Sequence, residues 1–592
     1  MEKEMRITTL VMAGMLCTSA FCENQYLVLA RRGEAATHSI RVEEGASSNL
    51  VHAARELSRY IGLLTDVEVP VANGETALHA IRLEVRPGLG RDAFRFRTDG
   101  NDFHIEGDDE RAVLFGVYDF LENYCDCDWL APDQDFVPHQ DLVRVPRDLD
   151  RLCKPAFAIR DCYYSDARER PDFAAKLKLN EDDPFDQWLW KCHTFTRLVP
   201  PEKYFKEHPE YYALVNGERK GEWNANLCLT NPDVLRIVTS NMLDRIAKVY
   251  PAKKVFGVSQ SDCWEHCECE GCTAIDKREE SPAGSNLAFV NAVADAVAKK
   301  YPDVIVETLA YQYTVKPPKN IRPRDNVMVC LCTDQCDFSR PLTESRFHSR
   351  GRYFVDDLRT WCAITGNRVH IWDYTMNFQY KLHAFPNIYS LKGNLETFLD
   401  CGVSEVFEQG PLPSRHQAGE TLKLYLLGHL LWNPRQPLEP LLSRFYARYY
   451  GEAGPWMRRY MEELHAVSRA RDETKVPLMM WGVLDSPALP TDFFEHGAIW
   501  LAKAAEAVKN DPVKSRNVRW ERNANDYTRI MRSEKPTPEL AEAAARILED
   551  WNAFPDAARI SESSSLCDEA RAKLTQYAAT RPSSMIVNFE NY

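Results

Sequence analysis

Residues 255–259 read VFGVS, residues 285–301 read SNLAFVNAVADAVAKKY, and residues 304–309 read VIVETL. The first and last stretches are short, β-branched apolar runs of strand length. The middle one repeats apolar residues at helical spacing, with Leu287, Val290, Ala294 and Val297 on one face. Strand, helix and strand in that order form a βαβ unit, which requires a parallel pair. Outward from it the pattern repeats. Apolar runs stand at 157–163, 190–195, 226–229, 327–332, 369–374 and 403–407, with helical patterns at 233–250, 357–364, 391–399 and 421–432. Eight strands with intervening helices over residues 151–435 predict an α/β fold, a (β/α)8 TIM-like barrel. An open doubly wound sheet is the alternative, but no glycine-rich phosphate loop follows the first strand.

The flanks read differently. Residues 23–150 predict a small α+β domain. Its strands are at 26–29, 80–85 and 101–106, its helices at 49–64 and 111–124, and a proline-punctuated linker runs over 126–147. Residues 436–592 show helical spacing throughout and predict a helical C-terminal domain. Residues 1–22 combine Arg6 with an apolar run from Ile7 to Phe21 and small residues near Ala20, the pattern of a signal peptide. A secreted or periplasmic protein is the expectation.

The chain has 592 residues and a formal net charge of −14. It lacks a strongly basic run, which argues against nucleic acid as a partner. It also lacks an apolar run long enough to span a membrane after the N-terminus. Of 18 cysteines, Cys17 and Cys22 fall in the signal segment and fifteen lie between Cys125 and Cys401. The densest group is SDCWEHCECEGC, with Cys263, Cys267, Cys269 and Cys272. Four sulfurs so close could hold a structural zinc, or could form disulfides or stay free thiols. No cofactor is expected for catalysis.

In such a barrel the chemistry sits where strands end at their C-termini. The first strand end supplies Arg160, the second His193, and the fourth Gln260, Asp262 and Trp264. The fifth supplies Tyr311, the seventh Asp373 and Tyr374, and the eighth Glu408. Aromatic rings stack on the apolar faces of sugars, and two carboxyl groups can divide acid and base or nucleophile roles at a glycosidic bond. Asp262 is expected as general acid, its carboxyl raised by an apolar neighbour such as Trp264. Glu408 or Asp373 is expected as base or nucleophile. Arg160, His193, Gln260, Trp264, Tyr311 and Tyr374 would bind the substrate. Asp373 alternates with Trp372 and Tyr374. It faces the site only if those aromatics face the helices.

Residues 255–272, 285–304, LAYQYTVKPP, VHIWDYTMNF and LLGHLLWNP together resemble a family of bacterial exported proteins whose central domain is a glycoside-hydrolase-like domain of unknown function. ASSNLVHAARELSRYIGLLTDVEVPV and RAVLFGVYDFLENYCDCDWLAPDQDFVP resemble the N-terminal domain of alpha-glucuronidases and beta-hexosaminidases. That resemblance implies a catalytic barrel beside the N-terminal domain. Beta-hexosaminidases carry an Asp-Glu pair at the fourth strand end. Here the chain reads Ser261-Asp262-Cys263, so their substrate-assisted chemistry is not implied. The expected function is an exported glycoside hydrolase acting on an oligosaccharide or polysaccharide. The alternative is a non-catalytic carbohydrate-binding protein on the same scaffold.

Overall fold

The structure is a computed structural model, and it describes residues 25–73, 78–180, 191–561 and 563–581. The signal-peptide expectation lies outside the described residues. The chain divides into two compact units, Met1–Ala158 with Arg170–Lys178, and Ile159–Glu169 with Leu179–Tyr592.

The first unit contains strands β1 (Tyr26–Arg31), β2 (His38–Val42), β3 (Val71–Asn73), β4 (His79–Val85), β5 (Phe94–Asp99), β6 (Asp102–Gly107), β7 (Asp128–Ala131), β8 (Gln134–Phe136), β9 (Leu142–Pro146) and β10 (Asp150–Cys153). Six of them form a mixed sheet in the order β10-β5-β6-β4-β2-β3. Two helices, Ser48–Thr65 and Glu110–Cys125, supply the apolar cover. The Ser47 hydroxyl accepts from the Leu50 amide and caps the first helix. Leu50, Ala53, Ala54, Leu57, Tyr60, Ile61 and Leu64 are its buried stripe. The expected linker over 126–147 is instead structured. β7 and β8 pair antiparallel, and β9 pairs antiparallel with β1. Trp129 anchors the β7–β8 hairpin, fully buried with its ring 5.1 Å from Tyr60 and 5.5 Å from Tyr118. Prolines and acids flanking a short strand hid it in the sequence.

In the second unit, β11 (Ile159–Tyr163), β14 (Val255–Gly257), β15 (Ile305–Ala310), β16 (Val327–Cys332), β17 (Val369–Tyr374) and β18 (Glu405–Gln409) form one parallel sheet. Its order is β11-β18-β17-β16-β15-β14. A small hairpin, β12 (Leu214–Val215) with β13 (Glu218–Arg219), lies between β11 and β14 in the chain. Six of the eight expected strands are present, so the sheet is a curled parallel half-barrel with edges at β11 and β14.

The expected second and third strands are not strands among the described residues. Phe195–Leu198 is a helical turn, and Leu227 makes one isolated bridge to Tyr212. The 191–195 segment nevertheless runs against β14. The Thr194 and Phe195 amides donate to the Ser259 carbonyl at 3.1 and 3.2 Å, and the Thr194 hydroxyl donates to the Gly257 carbonyl at 3.0 Å. Gly257 permits this approach, because a Cβ there would lie 2.0 Å from the Lys191 carbonyl oxygen. Two backbone bonds to one carbonyl and a side-chain bond thus stand in for a regular ladder.

Helices Ala283–Ala298, Phe354–Thr365, Ile388–Asp400 and Glu420–Trp432 alternate with the strands. The remaining helices, from Leu438 to Ala578, belong to the same compact unit as the sheet. Part of their core gathers Tyr527, Ile530, Ile547, Trp551 and Leu574 around Leu382 of the sheet region. The loop at Leu478–Trp481 reaches back to the strand ends. There the Phe338 amide donates to the Leu478 carbonyl at 3.0 Å and the Phe378 amide to the Met480 carbonyl at 2.8 Å.

Candidate active site

Strand alternation decides what faces the half-barrel interior. Tyr163, Leu309, Cys332, Trp372, Tyr374 and Gln409 point into a cavity of about 400 Å3. Tyr163, Cys332, Tyr374 and Gln409 are the last residues of their strands, so the cavity sits at the C-terminal ends of the sheet. The Trp372 indole donates to the Gln409 side-chain carbonyl at 2.7 Å, which locks both across β17 and β18. Loops complete the wall with His193, Asp262, Tyr311, Phe378, Met480 and Trp481.

Four of the expected site residues, Asp262, Tyr311, Gln260 and His193, are joined by hydrogen bonds. Tyr311 donates to Asp262 Oδ1 at 3.0 Å, and Gln312 Nε2 donates to the same oxygen at 3.1 Å. Burial first, then the charges of Asp334 and Asp262, drive the Tyr311 hydroxyl upward, so it remains a donor. His193 is held at φ 51, in the left-handed region. Its Nδ1 lies 2.9 Å from the Gln260 carbonyl, which can only accept. Nδ1 therefore carries the proton, and Nε2 is the ring's acceptor. Gln260 itself supports the wall without lining the cavity: its Nε2 donates to the Tyr311 carbonyl at 3.1 Å and the Thr314 hydroxyl at 2.7 Å.

Four expectations require correction. Trp372 and Tyr374 face the cavity, so Asp373 between them faces the helices. It accepts from the Thr333 hydroxyl, from the Tyr374 amide at 2.9 Å, and from Asn394 of helix 388–400. Burial pushes its carboxyl up to about 6. Glu408 stands in register with Asp373 and shares that orientation. It is 1% exposed, and neither carboxyl oxygen has a hydrogen-bond partner. Burial, followed by the Asp373 charge, raises it well above the usual carboxylate range. Arg160 also points outward, with its guanidinium 5.2 Å from the Trp432 ring. Trp264 is exposed beneath the Arg350 guanidinium at 3.6 Å and does not line the cavity. Asp262 is consequently exposed, without the apolar cover expected of a general acid.

The sequence reading passed over Asp334. It lies two residues beyond β16, is 6% exposed, and has one oxygen without a hydrogen-bond partner. Its other oxygen accepts from Gln335 Nε2 at 3.2 Å. Burial pushes the Asp334 carboxyl up to about 7. The Gln335 hydrogen bond and Arg350 pull the other way, and the charge of Asp262 adds to the rise. Asp334 lines a narrow recess that shares Cys332 with the main cavity. The signal was present in the run VMVCLCTDQ, an acid directly after a buried strand. Met480 and Trp481 carried no comparable signal, because they follow the last strand by some seventy residues.

Beneath the cavity, Glu307, Cys330 and His370 cluster on adjacent strands, with His370 Nδ1 3.2 Å from Glu307 Oε2. Burial opposes charge on His370, but Cys330 and Glu307 outweigh it and raise the imidazole well above its usual range. In the loop after β14 the expected metal-ligating set changes. Cys267, Cys269 and Cys272 are joined by Cys228, with all four ligand atoms within 4.8 Å of one another. Cys263 stands apart, donating to the Asn224 carbonyl at 3.4 Å and accepting from Asn226 Nδ2 at 3.3 Å.

The model of a domain of unknown function, DUF4838, matches residues 129–462. That is more than half of the chain, and the chain belongs to this family. No curated protein sequence matches it. Among solved structures, a 4-O-methyl-alpha-glucuronidase of family GH115, BtGH115A, with specificity for decorated arabinogalactans, is similar at 12% identity. That match covers 93% of this chain and 77% of that one, with a TM-score of 0.53. A family 89 glycoside hydrolase from Clostridium perfringens in complex with PUGNAc matches at 11% identity over 90% of this chain and 65% of that one, TM-score 0.49. A beta-N-acetylhexosaminidase from Bacteroides fragilis matches at 12% identity over 71% and 92%, TM-score 0.40. The glucuronidase likeness establishes a shared fold, that of a glycoside-hydrolase-like α/β protein.

Proposed function

We propose that this chain is an exported glycoside hydrolase that holds a glycan in the aromatic cavity and cleaves it with Asp262 and Asp334. The sheet is read as a (β/α)8 barrel in which segments 191–195 and 226–229 stand in for the second and third strands. One observation carries the catalytic reading. A buried carboxyl raised to about 7 and an exposed carboxylate feel each other's charge at the strand ends, beside a cavity walled by Trp372, Tyr374, Tyr311 and Trp481. Two titratable groups whose environments differ in this way suit an acid and its partner.

Asp334 supplies the proton to the glycosidic oxygen when that bond lies at Cys332, the residue its recess shares with the main cavity. Asp262, fixed by Tyr311 and Gln312, serves as base or nucleophile. His193 Nε2 and Gln409 position hydroxyl groups. A proton donor of this kind contributes roughly 10²–10⁴ in rate.

A non-catalytic glycan-binding protein is the second reading. It is favoured by Asp262 being the only carboxylate among the described residues that line the main cavity. The test is a screen of the mature chain against aryl glycosides and plant, algal and host glycans, with Asp262→Asn and Asp334→Asn in parallel. Turnover lost by at least about 100-fold in both variants, with glycan affinity kept, is the expected result. Turnover intact in both overturns the assignment. Glycan binding without turnover in the unaltered chain establishes the second reading.

A further inference from the structure

We propose that Cys228, Cys267, Cys269 and Cys272 bind one zinc ion as a closed tetrathiolate site that fastens the Asp262 loop to the segment before it. The proposal stands independently of the glycosidase reading.

Geometry supplies the first argument. A Zn–S bond of about 2.3 Å places the sulfurs of a tetrahedral site about 3.8 Å apart. The Cys228 and Cys269 sulfurs are 3.6 Å apart, and all four lie within 4.8 Å of one another. A disulfide needs sulfurs at about 2.05 Å, well short of the 3.6 Å between the Cys228 and Cys269 sulfurs, and all four cysteines are free thiols in the structure.

The surroundings supply the second. Four thiolates around zinc carry two net negative charges and need donors. The Leu214 amide donates to Cys267 Sγ at 3.4 Å, and Arg219 Nη1 stands 3.8 Å from the same sulfur. Thr230 Oγ1 is 3.6 Å from Cys269 Sγ and 3.4 Å from Cys272 Sγ. Cys269 is the N-cap of helix Glu270–Glu279, where the helix dipole favours negative charge. Ala213 and Val215 pack with the cysteines and exclude water, as befits a structural site.

The backbone supplies the third. Gly271 lies between Cys269 and Cys272, and a Cβ there would come 2.7 Å from Thr230 Oγ1. Glycine lets the Cys267–Cys272 loop close on the turn that carries Cys228.

Binding converts four thiols and one zinc ion into the tetrathiolate and four released protons, so occupancy falls at acidic pH. The site joins the segment just before helix Pro232–Val249 to the loop that follows β14. That loop carries Asp262, five residues before Cys267.

The test uses the full chain, purified without chelator. Elemental analysis is expected to give one zinc per chain, and cobalt(II) replacement the visible bands of a tetrahedral thiolate site. Cys228→Ala should lose at least tenfold in zinc content, whereas Cys263→Ala keeps it. Cys228→His should also keep zinc, which guards against a Cys228→Ala variant that fails to fold. A chain without metal whose four cysteines resist thiol titration in denaturant, because they are disulfide-bonded, overturns the proposal. So does a metal-free chain with four reactive thiols that takes up no added zinc, or zinc retained in Cys228→Ala but lost in Cys263→Ala.

Discussion

Replacing Asp334 by Asn should make the protein more stable as the pH rises, and less active. In the fold this carboxyl titrates near 7, against an ordinary value of 3.8. The folded value lies above the unfolded one, so the stabilising neutral form is fully present below about pH 4. Its advantage is lost as pH rises toward 7, where the unfolded chain is ionised and the folded chain is not yet. Each pH unit in that window is about 1.4 kcal/mol. Between pH 5 and pH 7 the unaltered chain therefore loses about 2.3 kcal/mol that Asp334→Asn keeps, and above pH 7 the difference levels off. The amide has its own burial cost, about 1–3 kcal/mol for an unpartnered polar atom. That cost is independent of pH and cancels when one pH is compared with another.

The assay is urea and thermal unfolding of both proteins at pH 5, 6, 7 and 8, following the second unit by tryptophan fluorescence. For a unit of roughly 400 residues the entropy of unfolding is about 2.1 cal/mol/K per residue. The expected change is thus about 3 °C in the difference between their Tm values. A stability difference flat to within about 0.5 kcal/mol over pH 5–8 would show that Asp334 is ionised in the fold and would remove the proton donor from the proposed mechanism. The stability change appearing without any loss of turnover would leave Asp334 a buried acid and move the chemistry elsewhere.

Three further outcomes are expected. Glu408→Gln should leave turnover and glycan affinity unchanged and should gain stability over the unaltered chain as pH rises, because its carboxyl is also raised by burial; a parallel loss of turnover would return Glu408 to the site. Trp481→Ala should weaken glycan binding about tenfold, near 1.4 kcal/mol, with little effect on Tm since that side chain is 53% exposed; unchanged affinity by calorimetry would remove it from the wall. Gly257→Ala should destabilise the second unit by about 3 kcal/mol, because the new Cβ meets the Lys191 backbone and not a side chain that can move; a midpoint equal to the unaltered chain in urea would mean that the 191–195 segment does not press on β14.

Much of the fold was legible because it follows from periodicity. The six apolar runs that became β11 and β14–β18 stand beside helices with clean spacing, and burial on both faces leaves such strands continuously apolar. The 226–229 run failed because NLCL serves a different purpose. Cys228 joins the cysteines of the loop after β14, and Asn226 Nδ2 donates to the Glu265 carbonyl at 2.6 Å. A four-residue apolar run cannot by itself reveal that its cysteine packs with three others some forty residues away. The 191–195 stretch failed for a related reason: it meets β14 and Ser259 through two backbone bonds to one carbonyl and the Thr194 hydroxyl, and not through a ladder.

The candidate site turned on one binary choice that composition could not make. In WDY at 372–374 either the aromatics or the acid faces the cavity, and a shift of one residue exchanges them. Trp372 is committed inward by its hydrogen bond to Gln409. Because β17 and β18 are parallel and in register, fixing Trp372 also sends Asp373 and Glu408 outward together. The same alternation places Glu307, Cys330 and His370 inward, one layer below the cavity. The acids that remain available to a substrate are therefore those beyond the strand ends, where the backbone no longer alternates. Asp262 and Asp334 are both of that kind. In this half-barrel the carboxylates within the last residues of β17 and β18 serve the sheet–helix interface, and those beyond the strand ends, Asp334 two residues past β16 and Asp262 five past β14, are the ones to test for chemistry.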